Sequence, residues 1–95
     1  MKIRELLSDE SKWTQRAPAK TSLGRPVNSD NPEAVCWCIA GAARHCYGDT
    51  FETNEILRRV CNKLEISAFL GYIDWNDAPD RRFEEVKALV NALDI

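Results

Sequence analysis

The sequence predicts a mainly α, α+β fold: about four helices packed around a central buried helix over residues 34–47, with a small irregular β-hairpin near 13–27. Three patterns predict it. The run from Ala34 to Tyr47 carries no charge before Arg44, and a helix that is apolar on every side is buried on every side. Two later stretches have amphipathic helical spacing, with Ile56, Leu57, Val60, Cys61 and Leu64 in one stripe and Phe83, Val86, Leu89, Val90 and Leu93 in the other. Between them and the N-terminus, Trp13, Gln15 and Ala17 alternate with Thr14 and Arg16. They are followed by Pro18, the turn residues Thr21-Ser22-Leu23-Gly24, and Arg25-Pro26-Val27, which are marks of a short strand pair at a sheet edge.

Taken in order, residues 2–8 predict a short helix, because Ile3, Leu6 and Leu7 share a face and Ser8-Asp9-Glu10-Ser11 ends the pattern. Asn28 to Glu33 is strong punctuation. Asp30 or Asn31 is placed to cap a helix, Pro32 suits a first helical turn, and Glu33 complements the positive dipole end. Within 34–47, the small residues Ala40, Gly41, Ala42 and Ala43 allow close approach of neighbouring backbone. Gly41 lowers helix propensity by roughly 1 kcal/mol, which close packing would justify. Gly48 is a natural stop. Thr50 or Thr53 opens the next helix, to about Leu64. Residues 66–75 are apolar but short, readable as a strand or as a helical turn or two, and 76–80 read as a turn before a last helix that starts near 81–83 and ends near Leu93.

Ninety-five residues with 44% apolar and 29% charged content predict one small globular domain rather than a disordered or low-complexity chain. No apolar run approaches the ~20 residues that a membrane span needs, and Met1 to Leu7 is broken by charge too early for a signal peptide, so a cytoplasmic chain is expected. Thirteen basic against fifteen acidic side chains leave a net charge of −2, which disfavours direct nucleic-acid binding, since phosphate contacts need a basic surface.

Cys36, Cys38, His45, Cys46 and Cys61 invite a metal site or a Cys–His nucleophile. On a helix, however, Cys36 and Cys38 point roughly 200° apart, and Cys38 stands roughly 10 Å along the axis from His45. The expectation is therefore four structural thiols, no metal, no cofactor and no catalytic residue. His45 is expected to be partly exposed near a helix C-terminus. No Gly-rich phosphate loop, nucleophile elbow or H-E-x-x-H is present.

Two candidate binding sites remain. Trp75-Asn76-Asp77 with Arg81, joined by Trp13 and Gln15, combines aromatic planes with amides, a carboxylate and a guanidinium, a set suited to a small polar or nucleotide-like ligand. The structural alternative is an Asp77–Arg81 pair pinning the turn to the last helix. The other candidate is the acidic series Asp74, Asp77, Asp80, Glu84 and Glu85. Residues 49–95 carry ten acidic and six basic groups, against five and seven in residues 1–48. Such a face is able to meet a basic groove on a partner protein.

Trp13-x-Gln15, Gly24-Arg25-Pro26-Val27, Trp37-Cys38-x-x-Gly41-Ala42, and Trp75-Asn76-Asp77 followed by Arg81 and Glu85-Val86 resemble, in order and spacing, an uncharacterised family of small bacterial and phage proteins. The resemblance covers most of the chain after residue 10. It implies a phage or mobile-element setting and no known activity. The chain departs from the family pattern at Arg82, where Thr or Ser is usual, which leaves Asp80 as the expected cap, and in a shorter leading helix. The resulting expectation is a non-catalytic binding protein. It would act by contact with a host protein or complex, for instance as an anti-CRISPR-like inhibitor of a defence system. The alternative is a small-ligand or nucleotide-sequestering protein.

Overall fold

The computed structural model describes residues 1–67 and 70–95. Its elements run α1 (Ile3–Leu6), β1 (Ala19–Thr21), β2 (Pro26–Val27), β3 (Ala34–Trp37), α2 (Ile39–Tyr47), α3 (Phe51–Lys63), α4 (Gly71–Asp77) and α5 (Phe83–Leu93), with a 3₁₀ turn at Glu10–Lys12. The class is α+β: five α-helices and a small antiparallel sheet of three strands in the order β2-β1-β3, among the described residues.

The largest departure from the sequence reading lies at residues 34–37. The predicted helix over 34–47 starts only at Ile39, and Ala34–Trp37 is the strand β3, paired with β1 in the register Ala19↔Trp37, Lys20↔Cys36 and Thr21↔Ala34, with an irregularity between Lys20 and Thr21. A short apolar run reads alike as buried helix or buried strand, and Val, Cys and Trp in succession suit the pleated surface. Asn31 does not cap a helix. Its side-chain oxygen accepts the Glu33 N–H at 2.8 Å and its carbonyl accepts the Ala34 N–H at 3.0 Å, so Asn28–Glu33 is the turn into β3.

Cys38 performs the capping that was expected of Asp30 or Asn31. Its backbone is extended, and its Sγ accepts the Gly41 N–H of α2 at 3.2 Å. Gly41 is there for the reason its helix position predicts. A Cβ at this site would lie 1.9 Å from the Pro18 carbonyl oxygen, and the same carbonyl accepts the Cys38 N–H at 3.2 Å. Segment 16–18 is thereby laid directly on the start of α2. Ile39 to Ala43 are all buried. α2 contacts α1, α3, α4 and β3.

The hairpin proper is narrower than 13–27. β1 and β2 pair as Ala19↔Val27 and Lys20↔Pro26, with Pro26 on an edge strand, where its missing N–H is tolerated. Gly24 takes φ +78° in the turn. Trp13 stands apart, bridging Trp37 in parallel fashion, while the Thr14 N–H donates to the Trp37 carbonyl at 3.0 Å.

The predicted amphipathic helices are in place. α3 buries Ile56, Leu57 and Val60, and α5 buries Phe83, Val86, Leu89 and Val90. The helix at 2–8 is shorter than predicted, but Ile3 and Leu7 are at most 1% exposed. The Arg4 N–H donates to the Ile95 carbonyl at 2.9 Å, which ties the two ends together. Of the ambiguous 66–75 stretch, residues from Gly71 on are helical as α4, and Ala68 and Phe69 lie outside the described residues. Asn76 and Asp77, expected in a turn, form the last residues of α4. The turn is confined to 78–80, where Ala78 adopts the extended backbone that a following proline favours. At the start of α5, Asp80 is not the cap. Glu85 reaches back, and its carboxylate accepts the Arg82 N–H at 2.9 Å.

Candidate functional site

Four of the six residues expected to line a ligand pocket do meet, but they bond to the fold. Asn76 is 1% exposed, and all four of its amide bonding positions are filled. Its Oδ1 accepts the Trp13 Nε1–H at 2.9 Å and the Ile39 N–H at 3.2 Å. Its Nδ2 donates to the Thr14 carbonyl at 3.1 Å and to the Asp77 Oδ1 at 3.0 Å. The Gln15 Nε2 donates to the carbonyls of Asn76 and Ala78, both at 2.9 Å, and Asp77 Oδ1 also accepts the Arg16 N–H at 2.9 Å. One amide thus ties segment 13–16, the first turn of α2 and the end of α4 together. The motif residues Trp13, Gln15 and Asp77 form a half-buried structural hub around the buried Asn76.

Trp75 and Arg81 form a separate unit. The Arg81 guanidinium lies 3.9 Å from the Trp75 ring centroid. Its Nε donates to the Trp75 carbonyl at 2.8 Å, and its Nη1 pairs with Glu85 at 2.8 Å. The expected Asp77–Arg81 pair is replaced by these contacts. The acidic series divides similarly: Asp77 and Glu85 are used internally, whereas Asp74, Asp80 and Glu84 are exposed. Hydrogen bonding from the Arg82 N–H, assisted by Arg81, holds the Glu85 carboxyl below its ordinary range.

The helical geometry used for Cys36 and Cys38 does not apply, since one thiol is on β3 and the other caps α2. All four thiols are free, and among the described residues no group of three or more His, Cys, Asp or Glu side chains is gathered to hold a metal. Burial pushes the Cys38 thiol up, against hydrogen bonds from the α2 backbone that pull it down, and burial pushes Cys46 up to about 11. His45 is exposed, as expected, but its ring is engaged: its Nδ1 donates to the Ser29 carbonyl at 3.0 Å, and it lies 4.8 Å from the Trp37 ring. The Trp37 Nε1–H donates to the same carbonyl at 3.0 Å, so the Trp37 motif anchors the 28–31 loop.

Behind the hub opens a cleft of about 210 Å³ between segment 16–18, α2 and α4. Arg16 and Arg44 contribute its cations, Asp77 its carboxylate, Tyr72 and Cys38 further polar groups, and Ala17, Pro18, Ala40 and Ile73 its apolar walls. Among the described residues, neither guanidinium makes a hydrogen bond or ion pair. Arg16 sits at φ +68°, a conformation that few non-glycine residues adopt, held by the bond from its N–H to Asp77. Sequence reasoning placed Arg16 only in the alternating stretch before Pro18 and gave Arg44 and Tyr72 no role. The available signal was Arg44 itself, the first charge on an otherwise apolar helical run.

Fold and site define a small α+β domain with an amide-centred polar hub and an adjoining open cleft. The chain belongs to a family of unknown function (DUF6197), matched over residues 1–93. No curated protein and no solved structure matches it. None of the described helices is long and apolar enough to cross a membrane.

Proposed function

We propose that the protein is a non-catalytic binding protein whose ligand occupies the cleft between segment 16–18, α2 and α4. The observation that carries this reading is the contrast in satisfaction: the Asn76 amide at the centre of the hub spends all its polar capacity on the fold, whereas among the described residues the guanidinium groups of Arg16 and Arg44, which line the cleft, have no partner. Binding is favoured over thiol chemistry because the thiol in the cleft, Cys38, is a buried helix cap whose ionisation is opposed by desolvation. The volume argues about size. It exceeds the ~150 Å³ that admits benzene but falls short of the ~300 Å³ at which drug-sized pockets begin. The cleft therefore takes a small molecule, or the end group of a larger one, rather than a whole nucleotide.

A fragment screen followed by backbone NMR tests this. Hits should shift the amides of Ala40, Arg44 and Ile73 while leaving Phe51, on α3, unmoved. Ile73→Trp changes a side chain that is 37% exposed and lines the cleft, so it should abolish binding in a folded protein. Hits that map elsewhere and ignore Ile73→Trp would reject the reading.

A second reading has its own observation. Asp74, Asp80 and Glu84 are exposed, and Asp74 directly follows Ile73, which is 37% exposed, with Leu70 41% exposed, so an acidic edge adjoins apolar surface at α4. That edge suits a basic partner protein, consistent with an inhibitor of a bacterial defence system in a phage or mobile-element setting. Charge reversal of these three acids should then abolish a stoichiometric complex isolated from host lysate.

A further inference from the structure

We infer that the cleft selects an oxyanion carried on a short apolar stem, with Arg16 and Arg44 as its anion-binding residues. The inference rests on the cleft reading above and names the chemistry of its ligand. Charge balance comes first. Two guanidinium groups line the space against one carboxylate, Asp77, whose Oδ1 is turned to the fold and accepts both the Arg16 N–H and the Asn76 Nδ2–H. The site is left with a surplus of positive charge, which an anion would neutralise.

The backbone supplies no competing recognition. α2 begins at the cleft, but three of its four leading N–H groups are taken: Ile39 donates to Asn76, Gly41 to the Cys38 Sγ, and Ala42 to the Cys38 carbonyl, while the fourth, of Ala40, acts on the Cys38 thiol and helps to pull it down. Recognition therefore falls to the side chains. A guanidinium presents a planar fork of donors suited to a carboxylate or phosphate edge. The field of Arg44 is felt across the space. At both Tyr72 and Cys38, burial disfavours the anionic form, and Arg44 acts in the opposite direction. The remaining wall is apolar. Ala17, Pro18, Ala40 and Ile73 offer carbon surface with no donor or acceptor side chain, so a stem of a few carbons or a single ring completes the match.

The oxyanion is either a carboxylate or a phosphate, and calorimetric titration with three probes separates them. 3-Phenylpropionate and phenyl phosphate carry the two anions on the same kind of stem, and benzamide is a neutral comparison. The tighter of the two anions should bind wild type at least tenfold better than benzamide, and should lose at least tenfold in Arg44→Gln and in Arg16→Gln. Lys87→Gln, an exposed change on α5 away from the cleft, should leave it unaltered. Arg16 is exposed, so its variant keeps the test open if Arg44→Gln fails to fold. Equal binding of benzamide, with both arginine variants unaffected and Ile73→Trp still blocking, would overturn the anion selectivity and leave the cleft reading standing. No binding of either anion to wild type would also overturn the inference, and the fragment screen would then judge the cleft on its own.

Discussion

Asn76 and Arg44 line the same cleft and differ in almost every physical respect. The Asn76 amide is 1% exposed and has four partners, drawn from segment 13–16, α2 and α4. The Arg44 guanidinium, on the next turn of α2, has no hydrogen-bond or ion-pair partner among the described residues. A buried amide is tolerated only when its donors and acceptors are satisfied, so its position is dictated by the fold. A guanidinium at the edge of a cleft remains hydrated and keeps its bonding capacity for another molecule. The side chains that most resemble a binding site in the sequence are therefore the least available to a ligand.

The comparison is broken most directly at Asn76. Asn76→Ala leaves the Trp13 indole N–H, the Ile39 N–H and the Thr14 carbonyl without partners. At about 1–3 kcal/mol for each unsatisfied buried group, partly relieved by water, the expected loss is about 3–5 kcal/mol in urea denaturation. A loss below about 1 kcal/mol would show that the hub is dispensable. By contrast, Arg44→Gln removes no internal bond seen among the described residues and should change stability far less.

A smaller effect is expected at Gly41. In Gly41→Ala the new methyl would sit 1.9 Å from the Pro18 oxygen and 2.7 Å from its carbonyl carbon, so backbone has to move. The expected loss is about 2 kcal/mol, measured by thermal unfolding. Because Pro18 also lines the cleft, ligand binding should weaken in the same variant. Unchanged stability would mean that segment 16–18 is free to lift away.

The smallest effect concerns acid. The Glu85 carboxyl is held below its ordinary 4.5 by the Arg82 N–H and by Arg81, so its folded pKa is depressed. A depressed carboxyl contributes stability above its unfolded pKa, and that contribution is lost as pH falls through the folded value. Wild type should therefore lose its margin over Glu85→Gln below about pH 4.5, in parallel acid titrations followed by circular dichroism. The margin should be small, since Glu85 is exposed and its bonds are screened by water.

Several elements were legible because a local rule was sufficient. The stripes of α3 and α5, the stop at Gly48 and the small-residue face at Gly41 each follow from spacing or backbone sterics, and each is present. The error at 34–37 has a clear cause. Val35-Cys36-Trp37 satisfies a buried helix and a buried strand equally well, and only the neighbouring strand β1 decides between them. The candidate site was legible as a neighbourhood but not as a set of roles. Trp13, Gln15, Asn76 and Asp77 do converge, yet nothing in their identity says whether an amide will face backbone or ligand.

By itself, the sequence determined the α+β class, the two amphipathic helices, the capacity of Gly41 for close approach and the concentration of acidic groups from residue 49 onward. Only the tertiary structure decided that residues 34–37 pair as a strand, that Cys38 rather than Asp30 or Asn31 caps α2, and that Arg16 and Arg44 come to line one cleft from positions 28 residues apart. The physical reason is range. Periodicity, capping and glycine sterics act within a few residues, whereas the partner of a strand, an amide or a guanidinium is supplied by a distant part of the chain that folding brings beside it.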